Sequence, residues 1–262
     1  MNICICTDLE GVSGVRTIEA VSDIGSPAYA EAVERLMADT NAAVRAAFDC
    51  GAEKVFVVDG HGNGKNFIPG ALDPRATQIA VKDMGEGVKN SAAMVVIGQH
   101  AMAGTENAFL DHTESSVLIH HWYYNGKRVG ELMMTAVFAG HFGVPVVAMS
   151  GDRAACLEAQ AAVAGISTAE VKSTTRRNVA ECLMENKQAE KTIYDAVRRG
   201  IERRADIQPV RIALPLTVTV EYNRSDYCEK ALARNPKLER VDAYTVREIK
   251  REIPDDYYGI YV

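Results

Sequence analysis

The chain has 262 residues, of which 47% are hydrophobic and 24% charged. That length holds one large domain or two modest ones, and that apolar fraction sustains a sizeable core, which excludes a disordered chain. The formal net charge of −6 argues against nucleic acid as the main partner, because phosphate binding needs a basic face.

The first element is "NICIC" (2–6), a short apolar strand. The opening "MNICICTDLEG" has no basic n-region and turns acidic by residue 8, so no signal peptide is expected. No apolar run approaches the ~18 residues needed to span a bilayer, so no membrane partner is expected either. Six cysteines (Cys4, Cys6, Cys50, Cys156, Cys182 and Cys228) are scattered without a C-x-x-C pair. They read as free thiols of a reducing compartment, which makes a cytoplasmic location the expectation. Cys4 and Cys6 alternate in the strand, so both should face one way and be buried.

Ser26 and Pro27 have the character of an N-cap and first helical residue. Apolar positions then recur at helical spacing from Val33 to Phe48, up to a plausible stop at Gly51. "KVFVVDG" (54–60) and "AAMVVIGQH" (92–100) are continuous apolar runs, as expected of parallel strands covered on both faces. Residues 116–129 read as a hairpin around Asn125-Gly126. A helix over 131–143 and a strand over 144–152 follow, with further helices over about 152–164 and 183–204. From about 205 the character shifts to a long alternating strand (210–222), a short helix (226–234) and a final strand (240–249). We therefore expect an α/β layered fold with a mainly parallel central sheet flanked by helices. Residues 1–204 would form a metal-binding α/β domain, and 205–262 a smaller C-terminal α/β unit or a return to the first domain.

In open α/β sheets ligands bind outside the carboxyl ends of the strands. Three strand ends here carry metal-competent groups: Asp8 and Glu10 after the first, Asp59 and His61 after the second, and His100 after the third. If the chain stays extended, Asp8 and Glu10 project together, and so do Asp59 and His61. Two acids side by side repel, but beside histidines they become ligands for a divalent cation. Mixed carboxylate and imidazole ligands suit Zn²⁺, with Mn²⁺, Fe or Co²⁺ as alternatives. "DGHGNGK" (59–65) fails as a phosphate loop, since Asp59 stands where glycine is required and Asn66 where Ser or Thr is required.

His112, in the polar loop "FLDHTESS", is a candidate catalytic group. His120 and His121 in the hairpin strand receive no role, and His141 near a helix end suits a dipole interaction. Glu131, taken alone, reads as an acid stabilising a helix start. Ser115 and Ser116 lie near His112, but no G-x-S-x-G elbow exists, and the cysteines of the first strand are poor nucleophile candidates.

The stretches "DLEGVSG", "VVDGHGNGKN", "IGQHAMAGTENAFLDHT", "NGKRVGELMMTAVFAGHFGVPVVAMSGD" and "TAEVKSTTRRNVA" resemble the zinc-dependent D-aminopeptidase (DppA-like) peptidase family. The likeness covers most of residues 1–178 and is weaker over 205–262. By that resemblance the metal-binding acids fall on Asp8 and Glu10, the metal-binding histidines on His61 and His100, a helix-opening glutamate ligand on Glu131 and a catalytic histidine on His112. "LDHTESS" departs from the residues expected to flank that histidine. The resemblance further implies a ring-shaped homo-oligomer. The activity expected is hydrolysis of short peptides with N-terminal D-amino acids, using a dinuclear zinc centre (two ions per subunit) and a metal-activated water. A non-catalytic metal- or ligand-binding protein and a metallophosphatase are the alternatives.

Overall fold

The apolar runs that open the chain and recur at 54–59 and 93–99 lie side by side as parallel strands in the computed structural model, which describes residues 1–182 and 185–261. In chain order the elements are β1 (Asn2–Thr7), α1 (Glu19–Ser22), α2 (Pro27–Asp49), β2 (Lys54–Asp59), β3 (Thr77–Ile79), α3 (Met84–Lys89), β4 (Ala93–Gln99), β5 (Ile119–Tyr124), β6 (Lys127–Arg128), α4 (Glu131–His141), β7 (Val146–Asp152), α5 (Arg153–Ala162), β8 (Ser167–Arg176), β9 (Val179–Cys182), α6 (Asn186–Glu202), β10 (Leu216–Tyr222), α7 (Ser225–Arg234), β11 (Glu239–Arg240) and β12 (Thr245–Lys250).

Seven strands form one sheet in the order β3-β2-β1-β4-β7-β8-β9, parallel except for the last pair. Helices flank it: α2 and α6 lie against each other and against the sheet, and α3, α4 and α5 pack on it as well. Cover on both faces explains why alternation is lost in the central strands; Ile3, Cys4, Ile5, Val55, Val57, Val95 and Ile97 are all fully buried. From β1 the chain steps outward to β2 and β3, then returns past β1 to β4 and moves away on the other side. Strand order therefore reverses between β1 and β4, and a crevice opens at their carboxyl ends.

Local signals explain several boundaries. Ser26 accepts a hydrogen bond from Tyr29 N at 3.0 Å and Pro27 opens α2. Asn125 and Gly126, both at positive φ (49° and 78°), turn β5 into β6. The second sheet is antiparallel, in the order β11-β12-β10-β5-β6. The mid-chain hairpin and the C-terminal segment thus share one sheet through the pairing of β5 with β10.

Other boundaries differ from expectation. The alternating run 210–222 becomes a strand only at Leu216. Pro209 and Pro215 cannot donate to a ladder, and the backbone at Val210 lies against α4 so closely that a Cβ on Gly140 would come within 1.8 Å of its carbonyl oxygen. The strand expected over 240–249 splits into β11 and β12 because Asp242 folds a turn, accepting from Tyr244 N at 2.7 Å. The β8–β9 hairpin has no counterpart in the sequence reading, since a lysine at its buried centre interrupts the apolar signal. The start of the helix expected over 183–204 falls at positions outside the described residues, as does the side chain of Cys182; α6 is described from Asn186. Among the described residues no helix is long and apolar enough to cross a membrane.

Candidate metal centre

The crevice is built by backbone approach. β1 ends at Thr7, and Asp8 N donates to Ile97 O at 2.8 Å while Gly11 N donates to Gly98 O at 2.7 Å. A Cβ on Gly98 would lie 2.3 Å from Asp8 O, and φ there is +77°; a Cβ on Gly11 would lie 2.0 Å from Gln99 O. Only glycine permits this contact. Gly98→Ala is accordingly expected to cost about 3 kcal/mol or more, because it combines a left-handed backbone with a clash against main chain. Urea unfolding at constant m-value measures that loss.

Asp8 and Glu10 converge, but not by the pleat of an extended strand. The chain turns at Leu9–Val12, where Val12 N donates to Leu9 O at 3.2 Å. At the end of β2, Asp59 does not stay with His61. Both its oxygens serve Asn66, accepting from Asn66 N at 2.6 Å and Asn66 Nδ2 at 2.9 Å. Asn66 in turn donates to His61 O at 2.8 Å, and its Oδ1 faces His61 Nδ1 at 3.4 Å. Asp59 and Asn66 therefore position His61 and stand behind it.

Five of the six singled-out side chains form two linked groups, and the sixth, His112, lies against one of them. His61 Nε2 is 3.3 Å from Glu10 Oε1. His100 Nε2 is 3.3 Å from Asp8 Oδ2 and 3.4 Å from Glu131 Oε1. Asp8, Glu10 and His100 also present ligand atoms within 4.8 Å of one another, so Asp8 stands between the groups. The His112 ring stacks on His100 with centroids 3.9 Å apart, and its Nε2 is 3.8 Å from Glu131 Oε1. Glu131 reaches the site from the first turn of α4, behind Gly130 at the N-cap, where no side chain caps the helix.

The acids and imidazoles of the cleft hold one another's charge. Burial opposes the charged ring of His61, but the hydrogen bond and charge of Glu10, with Asp8, carry it up to about 9. His100 is raised despite its burial, by Glu131, Asp8 and Glu10. Burial likewise opposes Glu131, yet His100 draws it down to about 2. Glu10 is held well below the usual range against its burial, chiefly by His61. Asp8 is pushed up by burial and by the charge of Glu10. His112 is lowered by burial and by its neighbour His100.

Tested against a divalent cation, the residues fit. His100 Nδ1 lies 2.9 Å from Ala101 O, which can only accept, so in the neutral ring the proton sits on Nδ1 and the Nε2 lone pair is left bare. That Nε2 is buried without a hydrogen-bond partner, and so is Glu10 Oε2. Unpartnered buried acceptors are costly, and aimed together they suit an ion. Nitrogen and carboxylate donors match zinc and its first-row neighbours.

A shell missed by sequence reasoning supports this cluster. Lys172 on β8 is fully buried and donates to the carbonyls of Glu10, Val12 (3.0 Å) and Val15 (2.9 Å). Asp39 on α2 accepts from Ser13 N at 2.8 Å and Ser13 Oγ at 2.7 Å. Both pin the loop that carries Glu10. A Tyr-rich segment, Tyr257–Ile260 with Tyr261, closes the other side: Tyr257 bonds Thr135 of α4 at 2.9 Å, and the Tyr261 ring packs edge-on against Trp122. The cleft so enclosed measures about 230 Å³. Its composition, "DDYYGIY", was the available signal.

The remaining candidates go elsewhere. His120, His121 and Glu221 cluster on the second sheet, but Arg128 points its guanidinium at His121 Nε2 from 3.2 Å, which sets a fixed cation where an ion would go. His141 bonds Asp255 at 2.9 Å. Cys4 is fully buried, whereas Cys6 lines the cleft and is only partly buried, contrary to expectation. Burial pushes the Cys4 thiol up to about 12, and burial with nearby negative charge raises Cys6, so neither supplies a thiolate.

Fold and cleft together define an α/β protein that gathers acids and imidazoles at the switch point of a parallel sheet. The family model for D-aminopeptidases matches residues 1–260, and the chain belongs to that family. It is an enzyme of the peptidase class. A D-aminopeptidase of Bacillus subtilis (strain 168) is 29% identical over 216 residues, covering 80% of this chain and 77% of that protein. A solved structure, described as the Zn-dependent D-aminopeptidase DppA from Bacillus subtilis, a self-compartmentalizing protease, superposes with a TM-score of 0.92 at 24% identity, covering 99% of this chain and 95% of that one.

Proposed function

We propose that this enzyme is a zinc-dependent aminopeptidase that hydrolyses short peptides bearing an N-terminal D-residue. In this reading Asp8, Glu10, His61, His100 and Glu131 would hold two ions. The observation that carries it is the buried Nε2 of His100, which has no hydrogen-bond partner while it faces two carboxylates at 3.3 and 3.4 Å. The zinc and the D-preference follow the likeness to D-aminopeptidase of Bacillus subtilis. Zinc at such a site supplies a water acidified to a pKa of ~7 and a Lewis acid for a carbonyl.

The chain's own residues supply the rest. His112 donates from Nδ1 to Leu110 O at 2.8 Å, which leaves Nε2 of the neutral ring as an acceptor toward the cleft. Nε2 takes the proton of the attacking water and delivers it to the leaving amine as the C–N bond breaks. Buried Asp8 and Glu10 and half-buried Glu131 fix the reacting geometry.

Removal of metal by a chelator should abolish turnover of D-aminoacyl amides and dipeptides, and Zn²⁺ should restore it, with L-isomers and phosphomonoesters turned over more slowly. Because the raised imidazoles of His61 and His100 bind protons in the metal-free site, uptake displaces protons; affinity should rise toward pH 9 and fall on acidification. Zinc uptake without turnover on any amide would defeat the enzymatic reading. The homo-oligomer is part of the same proposal, and light scattering should give a mass several times the 28.5 kDa of one chain.

A further inference from the structure

An aminopeptidase must recognise a free amine, and no group has yet been assigned that task. We infer that Glu114 is the specificity-determining carboxylate that binds the substrate's α-ammonium. This inference rests on the aminopeptidase reading above and deepens it.

Among the described residues lining the cleft, the carboxylates are Asp8, Glu10, Glu114 and Glu131. Asp8, Glu10 and Glu131 each lie within 3.4 Å of an imidazole and belong to the proposed ligand set. Glu114 does not. Its carboxyl pairs with the phenol of Tyr261, and burial of the carboxyl with the nearby charge of Glu131 pushes it well above the usual carboxylate range, a cost that a bound ammonium would relieve. Among the described residues the lining holds no Lys or Arg to pair with it.

The backbone shows that this placement is enforced. Glu114 has φ of +64°, and Ser115 N donates to Thr113 O at 2.7 Å, closing a three-residue turn about Glu114. Left-handed positions of this kind favour Gly or Asn, and a long unbranched acid there is held only by its surroundings. Strain of this sort gathers where a side chain must be aimed. Two contacts hold the turn: Glu114 N donates to Glu131 Oε1 at 2.7 Å, and Thr113 Oγ1 accepts from Ala103 N at 3.3 Å.

Position agrees with the chemistry. In a peptide the α-nitrogen is one carbon removed from the scissile carbonyl, so its recogniser must stand beside the groups that face the reacting centre. Glu114 is tied directly to one of them, Glu131. The rings of Tyr257, Tyr258 and Tyr261 line the same cleft and offer an aromatic wall to the N-terminal residue and its cation. The substrate class is therefore aminoacyl compounds with an unblocked primary amine.

The test compares zinc-loaded wild type, Glu114→Gln and Glu114→Asp in two readouts. One is calorimetric binding of D-alaninol, a primary amine with no bond to cleave, against N-acetyl-D-alaninol. The other is KM for D-alanyl-p-nitroanilide. Glu114→Gln should weaken D-alaninol by about tenfold to a hundredfold and raise KM by a similar factor, with binding of the acetylated compound unaltered. Glu114→Asp, with its charge one methylene shorter, should fall between. Equal weakening of both compounds would show a merely structural role, and no change in either would place amine recognition elsewhere; each overturns the inference. Should Glu114→Gln lose its zinc, the same comparison in Glu114→Asp decides. Failure of wild type on every aminoacyl substrate would fall on the aminopeptidase reading. Wild-type turnover whose amine dependence survives in both variants would fall on Glu114 alone.

Discussion

His112→Ala is expected to lower kcat by about 10²–10⁴-fold while zinc content stays at the wild-type value. The split follows from the geometry. His112 Nε2 stands 3.8 Å from Glu131 and its Nδ1 is committed to Leu110 O, so the ring faces the cleft with one atom able to exchange a proton. His100, the ring it stacks on, keeps its own tautomer through Ala101 O and does not depend on His112 for orientation. Steady-state kinetics with parallel metal analysis checks the prediction. Retained kcat would remove His112 from the chemistry, and lost zinc would move it into the ligand set.

Lys172→Met should lower both stability and zinc affinity without touching a reacting group. The ammonium is fully buried and ties the carbonyls of Glu10, Val12 and Val15 to β8, with the Phe109 ring 4.5 Å from Nζ. Methionine keeps most of the volume but strands three acceptors, each costing about 1–3 kcal/mol, partly offset by relief of a buried charge. A net loss of about 2–4 kcal/mol is expected from denaturant unfolding. The freed loop also carries Glu10, so zinc affinity should fall by about 10–100-fold, as it does when outer partners of metal ligands are removed. Unchanged affinity in the folded variant would mean that the loop holds Glu10 without Lys172.

The contrast between these two residues shows what the sequence exposes. His112 sits in a polar loop between apolar runs and attracts notice. Lys172 sits at an interior strand position, where its charge reads as an interruption of the pattern. The central strands were legible because burial on both faces leaves unbroken apolar runs, as at Ala93–Gln99. The convergence of Asp8, Glu10, His61 and His100 was legible as three strand ends on one rim, yet the assumed pleat was not the cause. The turn at Leu9–Val12 brings the acids together, and nothing in their spacing specifies it. Glu131 came from family likeness alone, since a glutamate at a helix start has an ordinary electrostatic explanation. Asn66, Glu114 and the tyrosines at 257–261 depend on contacts between segments far apart in the chain, which local pattern does not encode.

The central claim is that residues from separate strand ends and the start of α4 together hold divalent ions. Anomalous diffraction at the zinc edge from crystals grown with Zn²⁺ tests it most directly. Two peaks are expected in the cleft, one beside Glu10 and His61 and one beside His100 and Glu131, with Asp8 between. An empty cleft, or strong density only at His120, His121 and Glu221, would contradict it.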